Sequence, residues 1–282
     1  MTVISVTIGS TWALPNAWSW PLYGMALFTM LTLHGGANLF NDYFDFKNGV
    51  DLPDVPRVKC HPHALVRGNL TPRQVRTLAI ALYACGTVSG ISLAIICGWP
   101  VLLLVALGSF LGFFYTAKPV ALKYYGIGEM VAFLIWGPLG MSAAYFVQAR
   151  HFSYPLLPTS VPFGILVSLT LLANNLRDLE YDRRQNIQTL AVLLGPTAGK
   201  KLFGWLLFLV FSGTALMSFT GPLSPWSLLT LPALLLAVPL YKVMLHEIPP
   251  DADARTGQLD FVFGGLFAIS IILQKLVYNN FS

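Results

Sequence analysis

The residues best equipped for chemistry are carboxylates and carboxamides gathered at two places, each at the end of a long apolar run. The stretch NDYFDFKNGVD, 41–51, puts Asn41, Asp42 and Asp45 within about one helical turn, with Asp51 in the loop that follows. Far downstream NNLRDLEYD, 174–182, repeats the Asn-x-x-x-Asp spacing as Asn174 and Asp178 and then adds Asp182. Residues three or four apart on a helix share a face, so Asn41 with Asp45, Asn174 with Asp178, and Asp178 with Asp182 each aim two oxygen-bearing groups in one direction. Such pairs suit a hard divalent cation. Mg²⁺ commonly binds through one or two carboxylates plus substrate phosphate oxygens, which fits two small clusters better than a complete protein cage. The pattern therefore predicts Mg²⁺ as cofactor and a phosphorylated substrate, with Asn41, Asp42, Asp45, Asp51, Asp178 and Asp182 as candidate ligands.

The competing reading is that these acids only terminate helices and pair with nearby Lys and Arg. Acids at helix C-termini are opposed by the dipole and need a compensating cation. Ionisable groups at membrane depth are also functional by default. Both considerations favour the metal. A grip on phosphate would come from basic groups on the same face, for which Arg67, Lys118, Lys123 and Arg177 are candidates, arginine being able to clamp two oxygens at once. Upstream of the first cluster His34, Asn38, Asn41 and Asp45 fall at helical spacing, a polar stripe that must face a bundle interior or a wet cavity. Asn38 is placed in the site on that ground. His34 reads as an interhelical hydrogen-bonding residue, and His61 and His63 have no matched ligand spacing.

The elements that must position these groups follow from composition. Of the 282 residues, 55% are hydrophobic and only 10% charged, with a mean hydropathy of +0.66, too little polar material to cover a soluble domain. The fold class is all-α, a polytopic membrane bundle forming one domain over 1–282. An opening run, Val3 to Leu14, is too short to cross about 30 Å of hydrocarbon and reads as the inner part of a first helix. Full spans are expected from Trp20 to Phe46 and over 73–97, 100–116, 129–148, 160–178, a stretch ending at Phe219, 226–245 and 259–279, which with the opening run makes nine crossings. Thr71 followed by Pro72 has the form of a helix start.

Of 17 Lys and Arg, all but Arg150 and Lys275 fall on the face that carries both clusters, and all 12 Asp and Glu are assigned to that face. The positive-inside bias puts it in the cytoplasm, with the protein in the cytoplasmic (inner) membrane. Because the basic residues are scattered through short loops, the net charge of +5 reflects orientation and not a nucleic-acid surface. Cys60, Cys85 and Cys97 form no ligand or disulfide pattern. No protein partner is expected; the surroundings are membrane lipid.

With these residues laid out, the chain resembles the UbiA superfamily of intramembrane aromatic prenyltransferases. NDYFDFKNGVD matches its first Asp-rich motif, NNLRDLEYDRRQNIQTLAVLLG the second, and YTAKPVALKYYGIGE the segment between them, in that order over nearly the whole chain. The glycine turn that leads to Asp51 and the paired asparagines before Arg177 are similar to the MenA-like branch, which prenylates 1,4-dihydroxy-2-naphthoate in menaquinone biosynthesis. The 4-hydroxybenzoate branch usually carries an acid where Gly49 stands. The resemblance implies a nine-helix bundle around a central cavity open to lipid, a polyprenyl diphosphate and an aromatic acceptor as substrates, and Mg²⁺ as cofactor. It makes Asn41, Asp45, Asp178 and Asp182 the catalytic centre, lines the second cluster with Asn174 and Asn175, and gives Arg67, Lys118 and Lys123 the diphosphate oxygens. The sequence departs from the pattern in starting within the first helix, at VISVTIGS, and in carrying Asn186 and Gln188 where a glycine and a basic residue are common. The rival classes are a secondary transporter or lipid-phosphate carrier, whose site would sit at broken helices near the midplane, and a class I terpene cyclase.

Overall fold

The computed structural model describes residues 1–53, 55, 58 and 63–278; Arg57, Lys59, Cys60 and His61 of the first polar loop lie outside the described residues. Among the described residues ten helices of six residues or more follow one another, and there is no strand. They are α1 Thr2–Thr11, α2 Trp20–Lys47, α3 Pro72–Cys97, α4 Pro100–Phe113, α5 Gly128–Ala149, α6 Leu156–Arg177, α7 Leu179–Arg184, α8 Leu190–Thr220, α9 Pro225–His246 and α10 Ala252–Tyr278. All but the short polar α7 correspond to the expected crossings. Six of them, α3, α5, α6, α8, α9 and α10, are long and apolar enough to cross a membrane, as expected of an integral membrane protein.

Local chemistry sets several of the boundaries. The side chain of Thr71 accepts from the backbone N–H of Gln74, whose own side chain accepts from the N–H of Thr71, a capping box that fixes the start of α3. Trp18, Trp20 and Tyr23 cluster at the α1–α2 turn, where amphipathic rings suit a membrane–water interface. Helix α5 is interrupted by a π turn at Ile135–Leu139, where Pro138 cannot donate and Gly137 leaves helical geometry. Gly137 and Gly164 let the α5 and α6 backbones approach closely, since a Cβ on Gly137 would lie 3.0 Å from the Gly164 Cα.

One boundary differs from expectation in a way that matters. The last helix starts at Ala252, ahead of the expected 259, because Pro249 and Pro250 end the preceding turn and Asp253 in the first helical turn complements the positive end of the dipole. Asp260 is thereby carried into the bundle, where it is 1% exposed, instead of lying with the other acids on one membrane face. The main core packs Phe163, Phe203, Phe263, Phe267 and Met141 between α1, α5, α6, α8 and α10. On the other side an apolar pocket opens between α2, α3, α4 and α5, lined by residues including Ala37, Tyr83, Leu104, Trp136 and Ala143.

Candidate active site

At the end of α2 the first cluster is assembled from distant segments. Asp45 is 0% exposed; Lys123 donates to its Oδ2 at 2.6 Å and the Tyr124 hydroxyl to its Oδ1 at 2.7 Å. Both partners sit on a 3-10 turn, Leu122–Tyr124, held in place by backbone bonds from Leu122 to the Phe114 carbonyl at 3.0 Å and from Lys123 to the Tyr115 carbonyl at 2.8 Å. Burial pushes the Tyr124 hydroxyl well above the ordinary phenol range and the Asp45 charge adds to this, so the group remains a donor. The Thr116 hydroxyl donates to Asn41 Oδ1 at 2.5 Å. Asp51, 3% exposed, lies 3.0 Å from His63 Nε2, which is 3.8 Å from Asp42.

The second cluster, at the end of α6, is built almost in place. Arg177 donates through Nε and Nη2 to both oxygens of Asp178, each at 2.9 Å, and Nη2 reaches Asn174 Oδ1 at 2.5 Å. Its Nη1 lies 2.8 Å from Asp253 at the start of α10. Asp178 and Asp182 are 6% and 7% exposed. The two ends adjoin: the Tyr181 hydroxyl on α7 donates to the Val50 carbonyl just beyond α2 at 2.8 Å, and Tyr125 forms an isolated bridge with Gln188.

Of the residues expected in the site, Asn41, Asp45 and Lys123 meet at the first end and Asn174, Arg177 and Asp178 at the second. Lys123 and Arg177, expected to grip phosphate, each bind a carboxylate. The Asn38 amide Nδ2 donates to His34 Nε2 at 3.1 Å, and His34 Nδ1 reaches the Thr2 hydroxyl, the interhelical role its spacing implied. Asn175 turns to Glu129, donating to Oε1 at 2.9 Å. Arg67 and Lys118 are exposed. Tyr124, Thr116, His63, Glu129 and Asp253 were not expected; only Tyr124 had a signal, its place beside Lys123. Asn186 adopts φ +55, a left-handed conformation that asparagine tolerates better than most residues.

The donor set fits a divalent ion. Asp42, Asp51 and His63 offer ligand atoms within 4.8 Å of one another, and Asp45, Asp178 and Asp182 are buried hard oxygen donors at the two helix ends.

The model of the UbiA prenyltransferase family matches residues 2–279. A 1,4-dihydroxy-2-naphthoate octaprenyltransferase of Bacillus subtilis is 27% identical over 257 residues, 90% of this chain and 82% of that protein. The human UbiA prenyltransferase domain-containing protein 1 is 30% identical over 255 residues, 89% of this chain and 73% of that one. Among solved structures, a UbiA homolog from Aeropyrum pernix K1 superposes with a TM-score of 0.72 at 16% identity, covering 95% of this chain and 97% of that one. A homolog from Archaeoglobus fulgidus, bound to DMAPP and Mg²⁺, gives 0.64 at 15% identity over 96% and 95%. Two acid-tipped helices joined at one face, in a bundle of this architecture and with this match along almost its whole length, mean that the chain belongs to the UbiA prenyltransferase family.

Proposed function

We propose that the protein transfers an isoprenyl chain from a polyprenyl diphosphate to 1,4-dihydroxy-2-naphthoate, in a Mg²⁺-dependent reaction of menaquinone biosynthesis, at the cytoplasmic face of the inner membrane. The observation that carries the reading is the junction of the two acidic helix ends through Tyr181 and Val50. The acceptor rests on similarity to the Bacillus subtilis octaprenyltransferase, and the use of Mg²⁺ is supported by the Archaeoglobus fulgidus homolog that binds it with DMAPP.

Asn41, Asp42, Asp45 and Asp51 would hold the ion at the first end and Asp178 and Asp182 at the second, with Asn174 beside them. When bound, Mg²⁺ supplies the positive charge that stabilises the departing diphosphate. Lys123 and Arg177 hold Asp45 and Asp178 in fixed orientations, and Lys118 and Arg67 remain on the exposed rim as further cations for the diphosphate. The apolar pocket beside Ala37 and Tyr83 receives the isoprenyl chain and excludes water, which would otherwise capture the allylic cation before the ring does. The ring then attacks that cation and, in this branch, loses its carboxylate.

The test is a prenyl-transfer assay on purified protein that offers 1,4-dihydroxy-2-naphthoate and 4-hydroxybenzoate side by side. Product from the first alone, and only with Mg²⁺, is expected; product from 4-hydroxybenzoate alone would reassign the acceptor. A carrier would instead move the intact diphosphate without releasing pyrophosphate.

A further inference from the structure

His34 is an ionisable group in the middle of α2 that the diphosphate chemistry above does not use, and such groups at membrane depth are functional by default. Its two nitrogens are ordered by their neighbours. Asn38 Nδ2 donates to Nε2 at 3.1 Å, so Nε2 presents a lone pair and the neutral ring keeps its hydrogen on Nδ1. Nδ1 then donates to the Thr2 hydroxyl oxygen at 2.8 Å, which also accepts from the Trp136 indole at 3.2 Å. Helices α1 and α5 thus fix one tautomer and one orientation of the imidazole, as an orienting group does for a general base. Asn38 is exposed, so its amide can turn away from Nε2 without disturbing packing.

The imidazole borders open space. The apolar pocket between α2, α3, α4 and α5 measures about 830 Å³ with its open edge, within the roughly 300–1,000 Å³ of sites for small organic ligands. Leu93, Val101, Leu104 and Val105 give it an apolar wall, whereas His34 and Trp136 give the other wall polar atoms. The remaining polar side chains on it are spent: Thr29 bonds the Met25 carbonyl and Ser89, and Tyr83 donates to the Ser109 carbonyl. Trp136 lies in the π turn of α5, an irregularity frequent at functional sites, with its carbonyl capped by the Ser5 hydroxyl at 2.6 Å. Ala37 carries the pocket to within one turn of Asn41, and Asp45 is eleven residues from His34 on the same face of α2, about 16 Å along the axis. That length takes, in series, an ion about 2 Å from its oxygens, a diphosphate, two reacting carbons about 3 Å apart and a hydroxyl about 2.7 Å from its acceptor.

We propose that His34 is the catalytic base of the transfer: a hydroxylated aromatic ring enters the pocket between His34 and Ala37 and gives its hydroxyl proton to Nε2, taking the place of the Asn38 amide. The isoprenyl chain lies against the apolar wall opposite. As the hydroxyl proton passes to Nε2, the oxygen's electron pair is delivered through the ring, and the neighbouring carbon, which bears the carboxylate, forms the new bond to the allylic cation. The carboxylate then leaves as CO2, its electron pair restores the aromatic ring, and the oxygen takes its proton back from His34, so that no proton is gained or lost. Thr2 is a positioning residue, acting through His34 Nδ1. The inference rests on the aromatic acceptor proposed above.

The experiment compares single-turnover rates of prenyl transfer by the full chain in nanodiscs, with 1,4-dihydroxy-2-naphthoate and with a ring-fluorinated analogue whose hydroxyl is more acidic. His34→Gln, which keeps a polar side chain but no base, is expected to slow transfer about a hundredfold with the first acceptor. The loss should be clearly smaller with the fluorinated one, which needs less help to ionise, and Mg²⁺-dependent binding of geranyl diphosphate should stay within about twofold of wild type. Thr2→Val keeps shape but loses the hydroxyl that orients His34; it serves where His34→Gln does not fold, and should slow transfer about tenfold with the same dependence on acceptor. A rate within about threefold of wild type in His34→Gln, or in Thr2→Val where that variant alone folds, would overturn His34 as the base while leaving the transferase intact. A loss of equal size for both acceptors, or a matching loss of geranyl diphosphate binding, would do the same. Wild-type protein that prenylates no hydroxylated aromatic ring would overturn the acceptor reading and this role with it.

Discussion

The two acidic helix ends look alike in sequence and are built differently. Asp45 is held by Lys123 and Tyr124, 78 and 79 positions away, on a loop whose shape depends on backbone bonds to Phe114 and Tyr115. Asp178 is held by its own neighbour Arg177, which also ties Asn174 and Asp253 into the same array. The first end exists only when the bundle has brought α2 and the segment after α4 together. The second is largely preformed as soon as α6 ends, and α10 only completes it. Asp45 is therefore held across the bundle and Asp178 mainly from its own helix end.

That contrast can be broken at either end. Removing a carboxylate should cost most: Asp45→Ala and Asp178→Ala are each expected to lower prenyl transfer on the order of a thousandfold in steady-state assays, since a water-poor site depends on charges aimed at the leaving group. Full activity in either would contradict the assignment. Arg177→Ala comes next, because it removes a cation from two carboxylates, Asp178 and Asp253, where Lys123→Ala removes one from a single carboxylate that Tyr124 also bonds. Breaking a buried pair costs about 3–5 kcal/mol, so thermal unfolding should show a lower Tm for Arg177→Ala than for Lys123→Ala. Equal losses would mean that the two ends are not built as described.

Smaller effects sharpen the picture. Tyr124→Phe removes one hydrogen bond to a carboxylate and should reduce kcat about tenfold with little change in KM. Because the Tyr124 hydroxyl is held above its ordinary value, the stability it contributes is complete below the unfolded phenol pKa near ~10 and is lost only as the pH climbs from there toward the raised folded value. Melting curves of wild type and Tyr124→Phe should accordingly differ by a constant amount through neutral pH and converge only in strong alkali. Tyr181→Phe, which loses the contact to the Val50 carbonyl, should have the mildest consequence, a few-fold loss of Mg²⁺ affinity measured by titrating activity with the metal.

Much of this was legible from spacing alone. Asn41 with Asp45 and Asn174 with Asp178 share helix faces whatever the rest of the chain does, and apolar runs of the right length located the spans that present them. The partners were not legible, because Lys123 and Tyr124 meet Asp45 through tertiary contact, and nothing in a run of loop cations says which of them is buried. Lys118, which looks equivalent to Lys123 in sequence, is exposed. Asp260 was misplaced for a related reason. HEIPPDADARTGQLD is polar enough to read as loop to its end, whereas the prolines and Asp253 start a helix early and take Asp260 into the core. Polar density marks a boundary poorly when the polar residues themselves begin the helix.

Calorimetric titration of geranyl diphosphate into purified protein, with and without Mg²⁺, addresses the joint action of the two ends most directly. Binding in wild type that requires the metal, and is lost in both Asp45→Ala and Asp178→Ala, is the expected result. Binding of ordinary affinity without any divalent ion, or its survival in either variant, would contradict it.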